Sequence, residues 1–484
     1  MAYRYSNRSQ LALLPKSIED YVGGEDPVRA YDAFVDVLDL EELGIKINSR
    51  KVGNAEYDPK AMLKLFIYGY SYGWRSCRKL QRAIHHNLSF IWLMGGLKPD
   101  YKTISEFRRK NKKVIKRILK KCVRMCIKLE LVEGNVLFVD GSKIRANAAR
   151  GKNYTKEHYE EELSEIDRTI DRLFEECDRI DKEEGTQGSL VKMKKALSEN
   201  KAYRTKIQEV LKGFTEREEQ KGKPPNTMNR TDPESALMKS VQGSHASYNI
   251  QSVVDDTHGL IVHADVVNDG SDVNQFASQI VQAEEVIEKE CEVSCADAGY
   301  ADTEELEKID KRGTKVIVPS QRQALHNPQY DPFSKDKFIY DKEQDCYYCP
   351  EGHKLVREGR QEGYKKIGYR IKTAAICKEC RNYGECTKAQ KGRKVVRLLL
   401  EEVKEKLEEQ YDQAESQEIF KRRKTRVEHP FGHIKNNLGM TNFLLRGREG
   451  TQAEISIAAT CFNIVRMITL FGGVQGFIRR LCTV

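Results

Sequence analysis

Residues 135–149 read NVLFVDGSKIRANAA. Val136, Leu137, Phe138 and Val139 form an apolar run that predicts a buried strand; Asp140-Gly141 ends it, and KIRANA resumes with strand-like chemistry. An Asp-Gly pair between two such runs is the chemistry of a two-residue hairpin turn. The stretch therefore predicts two strands, VLFV and KIRA, folded back at Asp140. A carboxylate at the end of a buried strand is costly unless a cation or hydrogen-bond donors meet it. Asp140 is thus expected to turn the chain and also to stand where a metal ion can reach it.

Downstream, YNIQSVVDD, GLIVHADVV, CEVSCADAGY and TKVIVPS predict further strands, while SDVNQFASQIVQAEEVIEKE and TEELEKIDKRG predict helices. Hairpin-linked strands followed by β-α-β units describe an α/β fold with a mixed sheet. Upstream, residues 1–134 read as helices alone. Asp58-Pro59 supplies an N-cap followed by proline, and Thr103-x-x-Glu106 a capping box opening one basic helix that runs to residue 128. The segment 157–221 breaks the order of the sheet. Leu163, Ile166, Ile170, Leu173, Cys177 and Ile180 recur three and four residues apart, a coiled-coil seam, and a second apolar stripe runs from Leu190 to Leu211. This predicts an antiparallel helical hairpin inserted in the sheet domain.

The chain has 484 residues, enough for two to four domains. Its 39% apolar and 32% charged residues describe a globular protein. No run of 18 apolar residues exists, so no membrane span is expected. ISIAATCFNIVRMITLFGGV, interrupted by Asn463 and Arg466, reads as a core helix. The start, MAYRYSNRSQLALLPKS, lacks the apolar core of an export signal, and a cytoplasmic, nucleoid-associated protein is expected. The net charge of +10 is unevenly placed: Tyr101–Lys128 holds twelve Lys and Arg against one acid, Glu106. Such a face calls for a polyanion, with nucleic acid first among the candidates.

Three acids stand at informative places. Asp140 ends one predicted strand, Asp297 ends another in SCADAGYAD, and Glu428 lies in the basic stretch RRKTRVEHPFGHIKNN. Taken singly, each has a plain reading as turn, helix cap and surface ion pair. Taken together, they are oxygen ligands of the kind that suits Mg²⁺ or Mn²⁺. Two such ions can activate a water and steady the leaving oxygen of a phosphodiester. Lys143, Arg145, Arg422, Arg423 and Lys435 are the cations beside these acids, and Arg108, Arg109, Lys112 and Lys113 those of the basic helix, all candidates for phosphate contacts.

In this light the sequence resembles the DDE transposases of bacterial insertion sequences. The stretches that carry the resemblance are YDPKAMLKLFIYGYSYGWRSCRKLQRA, FVDGSKIRANA, SYNIQSVVD, VVNDGSDVNQF, ADAGYAD and VEHPFGHIKNNLGM, in family order from about residue 55 to 470. The resemblance implies an RNase H-like catalytic core, with Asp140, Asp297 and Glu428 as its acids holding Mg²⁺ (or Mn²⁺), and Lys435 as the lysine seven residues past the glutamate. Lys424 and Lys421 stand where related chains often carry Arg and Tyr, and Pro430 sets Glu428 near a kink or a helix start. It also implies cleavage of terminal inverted repeats, direct attack of the freed 3′-hydroxyl on target DNA, and a homodimer in the DNA complex. The rival readings are a metal-dependent nuclease of the same fold and a catalytically silent DNA-binding protein derived from a transposase.

The last constellation is cysteine. Five of the thirteen cysteines fall between residues 346 and 386; Cys346-x2-Cys349 and Cys377-x2-Cys380 are two knuckles 27 residues apart, and Cys386 follows. A structural Zn²⁺ held by Cys346, Cys349, Cys377 and Cys380 would anchor an insert with little apolar core of its own. Cys386 or His353 is able to replace one ligand. The expected organisation is a helical DNA-binding domain over 1–134 and an RNase H-like α/β core over 135–320 and 400–470. The core is interrupted by the helical hairpin at 151–240 and the zinc-ribbon-like insert at 335–395, and a tail follows at 471–484.

Overall fold

The strand that carries Asp140 does not turn. The computed structural model describes residues 17–45, 56–182, 187–240, 243–325, 331–360 and 365–483, so most of the N-terminal stretch read for an export signal lies outside the described residues. In it, Val136–Arg145 is one continuous strand. Its partner, Gly243–Asp255, is thirteen residues long and pairs antiparallel along it, with Asp140 opposite Ser252 and Gly141 opposite Gln251. The expected Asp-Gly hairpin is thereby corrected. A long neighbour offers hydrogen bonds on both sides of the Asp-Gly pair, and keeping the ladder intact outweighs a local turn preference.

The chain forms two compact units, Met1–Ser294 with Lys421–Val484, and Cys295–Phe420. In the first unit, Gly243–Asp255 also pairs with Ala236–Ser240 and with Ile261–Val267, both antiparallel. The strand Ile261–Val267 has a sheet neighbour on one side only. An open edge of this kind invites pairing with another chain. Here the helix Gly447–Leu470 occupies the backbone groups instead. Gln452 accepts from the Val266 N–H at 2.8 Å and donates to the Ala264 carbonyl at 2.7 Å. Asn463 accepts from the Ile261 N–H at 2.9 Å and donates to its carbonyl at 2.8 Å. This helix is long and apolar enough to cross a membrane, yet most of it is buried inside the protein. Asn463, the amide that interrupts its apolar run, is a clamp on the sheet edge.

The N-terminal region is helical, as its pattern predicts. Asp26 and Asp58 cap Pro27–Asp36 and Pro59–Ser71 by accepting the Val28 and Lys60 N–H groups, each at 2.9 Å. The expected single basic helix is two, Tyr101–Lys110 and Lys112–Lys128. Asp100, rather than Thr103, caps the first of them, accepting from the Thr103 N–H at 2.7 Å. Asn111 ends that helix by turning its side-chain amide back onto the Phe107 carbonyl at 2.8 Å. Trp74 stacks on Phe90 with ring centroids 5.3 Å apart. The inserted hairpin is Lys156–Lys182 and Gln187–Lys221. Ile166 and Ile170 from the first helix meet Ile207, Val210 and Phe214 from the second, with Met228 closing the end.

The second unit holds the helices Thr303–Asp310 and Glu401–Asp412 and the strand Lys315–Ile317. It also holds a five-stranded antiparallel sheet, ordered Lys394–Leu398, Lys366–Ile371, Lys354–Arg360, Cys346–Tyr348, Ile339–Asp341. Phe338, Tyr347, Leu355, Tyr369, Ile371 and Val395 form its core. The cysteine-rich segment therefore has an apolar core, contrary to expectation. Alternating strands buried on one face hide this from a composition count.

Candidate nucleic-acid and catalytic surfaces

In the first unit, the strand alternation that sets Asp140 on one face sets Ser142 on the same face. The helix Ala414–Gly432 and the π-turn His433–Asn437 that follows it bring two cations to this face. Arg423 Nη1 stands 3.5 Å from Asp140 Oδ1, and Lys435 Nζ donates to Ser142 Oγ at 2.5 Å. Burial pushes the Lys435 ammonium below the usual lysine range, while the Asp140 carboxylate acts in the opposite direction. One turn apart on the same helix, Arg422 and Arg426 both reach Asp256, at 2.9 and 3.2 Å. An acid sequence reading left aside thus anchors the basic helix. No motif marked it, since only folding brings residues 256 and 426 together.

Glu428 follows on the same helix. Five residues after Arg423 on a helix is roughly 140° around its axis. Its exposed side chain lines an open groove with His258, Lys424, His429 and Arg466. Pro430 lies inside the helix, so Glu428 stands in its last two turns and not at a helix start. In the second unit, Asp297 is half-buried and caps the single turn Ala298–Tyr300, accepting from the Gly299 N–H at 2.8 Å. Asp302 caps the following helix through Glu304 and Glu305. Among the described residues, no three His, Cys, Asp or Glu side chains are gathered to hold a metal ion. As carboxylates, the three acids are nonetheless the donor type that Mg²⁺ takes.

The basic residues divide sharply. Arg108 is buried, donating to the Arg75 carbonyl at 3.1 Å beneath the ring of Phe66, so its guanidinium is not offered to a phosphate. Arg109 pairs with Glu106 at 3.4 Å. Lys143 donates to the Lys239 carbonyl at 3.1 Å, and the Arg145 carbonyl accepts from Phe443 at 2.9 Å. Lys112 is half-buried at the start of its helix. Lys113, however, joins Lys116, Arg117 and Lys120 along one wall of a groove of about 770 Å³, with Arg448 also lining it. The four from the helix Lys112–Lys128 were legible as cations three to four residues apart along one face, but Arg448, from a distant stretch, was not.

His263 lines the same groove. Burial pushes its imidazole from 6.5 to about 4; the Asp265 carboxylate opposes this and Lys116 adds to it. A base whose folded pKa is depressed costs stability wherever the unfolded chain takes up the proton first. Stability is therefore expected to fall as pH drops from 6.5 toward 4. A His263→Gln protein, compared by urea midpoints across that window, is expected to show a shallower decline. An unchanged slope would remove His263 as the cause.

Two family models match the chain: a transposase domain (DUF772) over residues 16–110, and a transposase DDE domain over residues 348–468. By these domains the chain is a transposase of the DDE, insertion-sequence type. The DDE match takes in Glu428, Lys435 and the cysteine cluster, while Asp140 and Asp297 lie before it. The transposase match covers the helices through the first of the two basic ones. No curated protein matches the chain. Among solved structures, a piggyBac transposase synaptic complex with hairpin DNA aligns at 10% identity and a TM-score of 0.34, over 94% of this transposase and 79% of that chain. So low a score carries no argument.

Proposed function

We propose that this transposase cuts DNA at the ends of its element and joins the freed 3′-hydroxyl to target DNA. The observation that carries the reading is the DDE-domain match through Glu428 and Lys435, together with Asp140 set among Arg423, Lys435 and Ser142. Asp140, Asp297 and Glu428 would hold Mg²⁺, or Mn²⁺ in its place. Bound there, the metal would supply an activated water and charge for the leaving oxygen. Arg423 stands 3.5 Å from the Asp140 carboxylate, and Lys435 stands ready for a phosphate oxygen beside it. The homodimer joining two DNA ends and the RNase H-like character of the core belong to the same proposal.

The test is incubation of the full chain with DNA carrying the element's terminal inverted repeats, a target plasmid and Mg²⁺. Joined products are expected, and chelation is expected to stop cutting without releasing DNA. Cut ends that are never joined would favour a nuclease instead. The groove along Lys112–Lys128 is the proposed phosphate track. Changing Lys113, Lys116 and Lys120 together to Ala is expected to flatten the salt dependence of binding. The slope of log K against log salt should lose about 2 to 3, near 0.9 per phosphate contact. An unaltered slope would place the DNA elsewhere.

A further inference from the structure

The second unit contains a small cavity of about 30 Å³ lined by four thiols from three separate stretches: Cys349, Cys377, Cys380 and Cys386. Cys346 is not among its lining residues, although it belongs to the sequence knuckle. The reason is strand alternation. In Cys346–Tyr348, successive side chains point to opposite faces. Tyr347 and Cys349 therefore share the face packed on the core of Phe338, Leu355 and Tyr369, and Cys346 is buried on the other. From the structure we infer that Cys349, Cys377, Cys380 and Cys386 form a structural zinc site, with Cys386 as the fourth ligand in place of Cys346.

The local backbone is built for thiolates. After Cys349, the chain reverses at Gly352, which has φ +77° and whose N–H donates to the Cys349 carbonyl at 2.8 Å. The His353 N–H then points at Cys349 Sγ, 3.3 Å away. The Arg393 N–H donates to Cys377 Sγ at 3.4 Å, because Gly392 (φ +77°) lets the chain pass close against that cysteine. Amide donors to sulfur favour the charged thiolate and orient a metal ligand.

As described, the sulfurs surround the cavity without being drawn to one point, and no three metal-ligating side chains are gathered among the described residues. Neutral thiols do not attract one another. Binding would contract them, releasing the four thiol protons as Zn²⁺ takes four thiolates at about 2.3 Å each. The site would tie the loop holding Cys377, Cys380 and Cys386 to the end of the strand Cys346–Tyr348 at Cys349, and would be closed to substrate.

The experiment is metal analysis of the purified full chain, and its readout is independent of whether that chain cuts DNA. About one zinc per chain is expected. Cys386→Ser is expected to lose it, and Cys346→Ser to keep it. Cobalt substituted into the wild-type chain should give the absorption of a tetrahedral tetrathiolate, a measurement that needs no variant to fold. Zinc kept in Cys386→Ser, or lost in Cys346→Ser with the far-ultraviolet spectrum unchanged, would overturn the ligand set. A wild-type chain that binds neither zinc nor cobalt would overturn the site.

Discussion

The Asp297→Asn protein is expected to fold, to bind element-end DNA as the wild type does, and to cut almost none of it. Asparagine keeps the oxygen that accepts from the Gly299 N–H, so the cap on Ala298–Tyr300 survives. What it lacks is the negative charge that would hold a divalent ion. Mg²⁺-dependent cleavage is expected to drop below roughly one-thousandth of wild type, a barrier increase of about 4 kcal/mol. The readout pairs a cleavage assay with a binding isotherm on the same DNA. Normal cutting by the variant would refute the acid assignment; lost binding with normal cutting would refute the separation of roles.

The largest stability effect is expected at Arg75. Its Nη1 sits 3.2 Å from Glu454 Oε2, and the two side chains are 8% and 1% exposed. Arg75 also donates to the carbonyls of Asn442, at 2.8 Å, and Gly439, at 3.2 Å. Glu454 accepts from the N–H groups of Leu444, at 2.8 Å, and Leu445, at 2.5 Å. Burial pushes the Glu454 carboxyl up, and these backbone donors together with Arg75 and Arg108 hold it down. Arg75→Ala would leave a buried carboxylate short of its main cation and free two carbonyls, at a cost of about 3–5 kcal/mol. Chemical denaturation should show the loss in full. The Arg75→Ala, Glu454→Gln double variant is expected to recover part of it, because the amide carries no charge to strand. A single-variant loss under about 1 kcal/mol would mean that water reaches the pair.

Local chemistry was legible wherever the deciding neighbours lie a few residues away. The seam of the inserted hairpin, the cap at Asp58 and the line of cations from Lys113 to Lys120 follow from spacing along one helix. The order of the three acids and the lysine after Glu428 could be read directly and brought the family with them. Three matters were not local. Asp140-Gly141 has the chemistry of a turn, and only a thirteen-residue partner pairing on both sides keeps it extended. Arg108 reads as one more surface cation, yet the helix packing buries it beneath Phe66. Cys346 and Cys349 look alike in a knuckle, but a strand sends them to opposite faces, and Cys386 meets the others only once the sheet is assembled. Sequence by itself determined the elements, the charges and the family. Which side chains share a site was decided by tertiary structure, because the partners come from distant stretches and hydrogen-bond ladders and burial outweigh local preference.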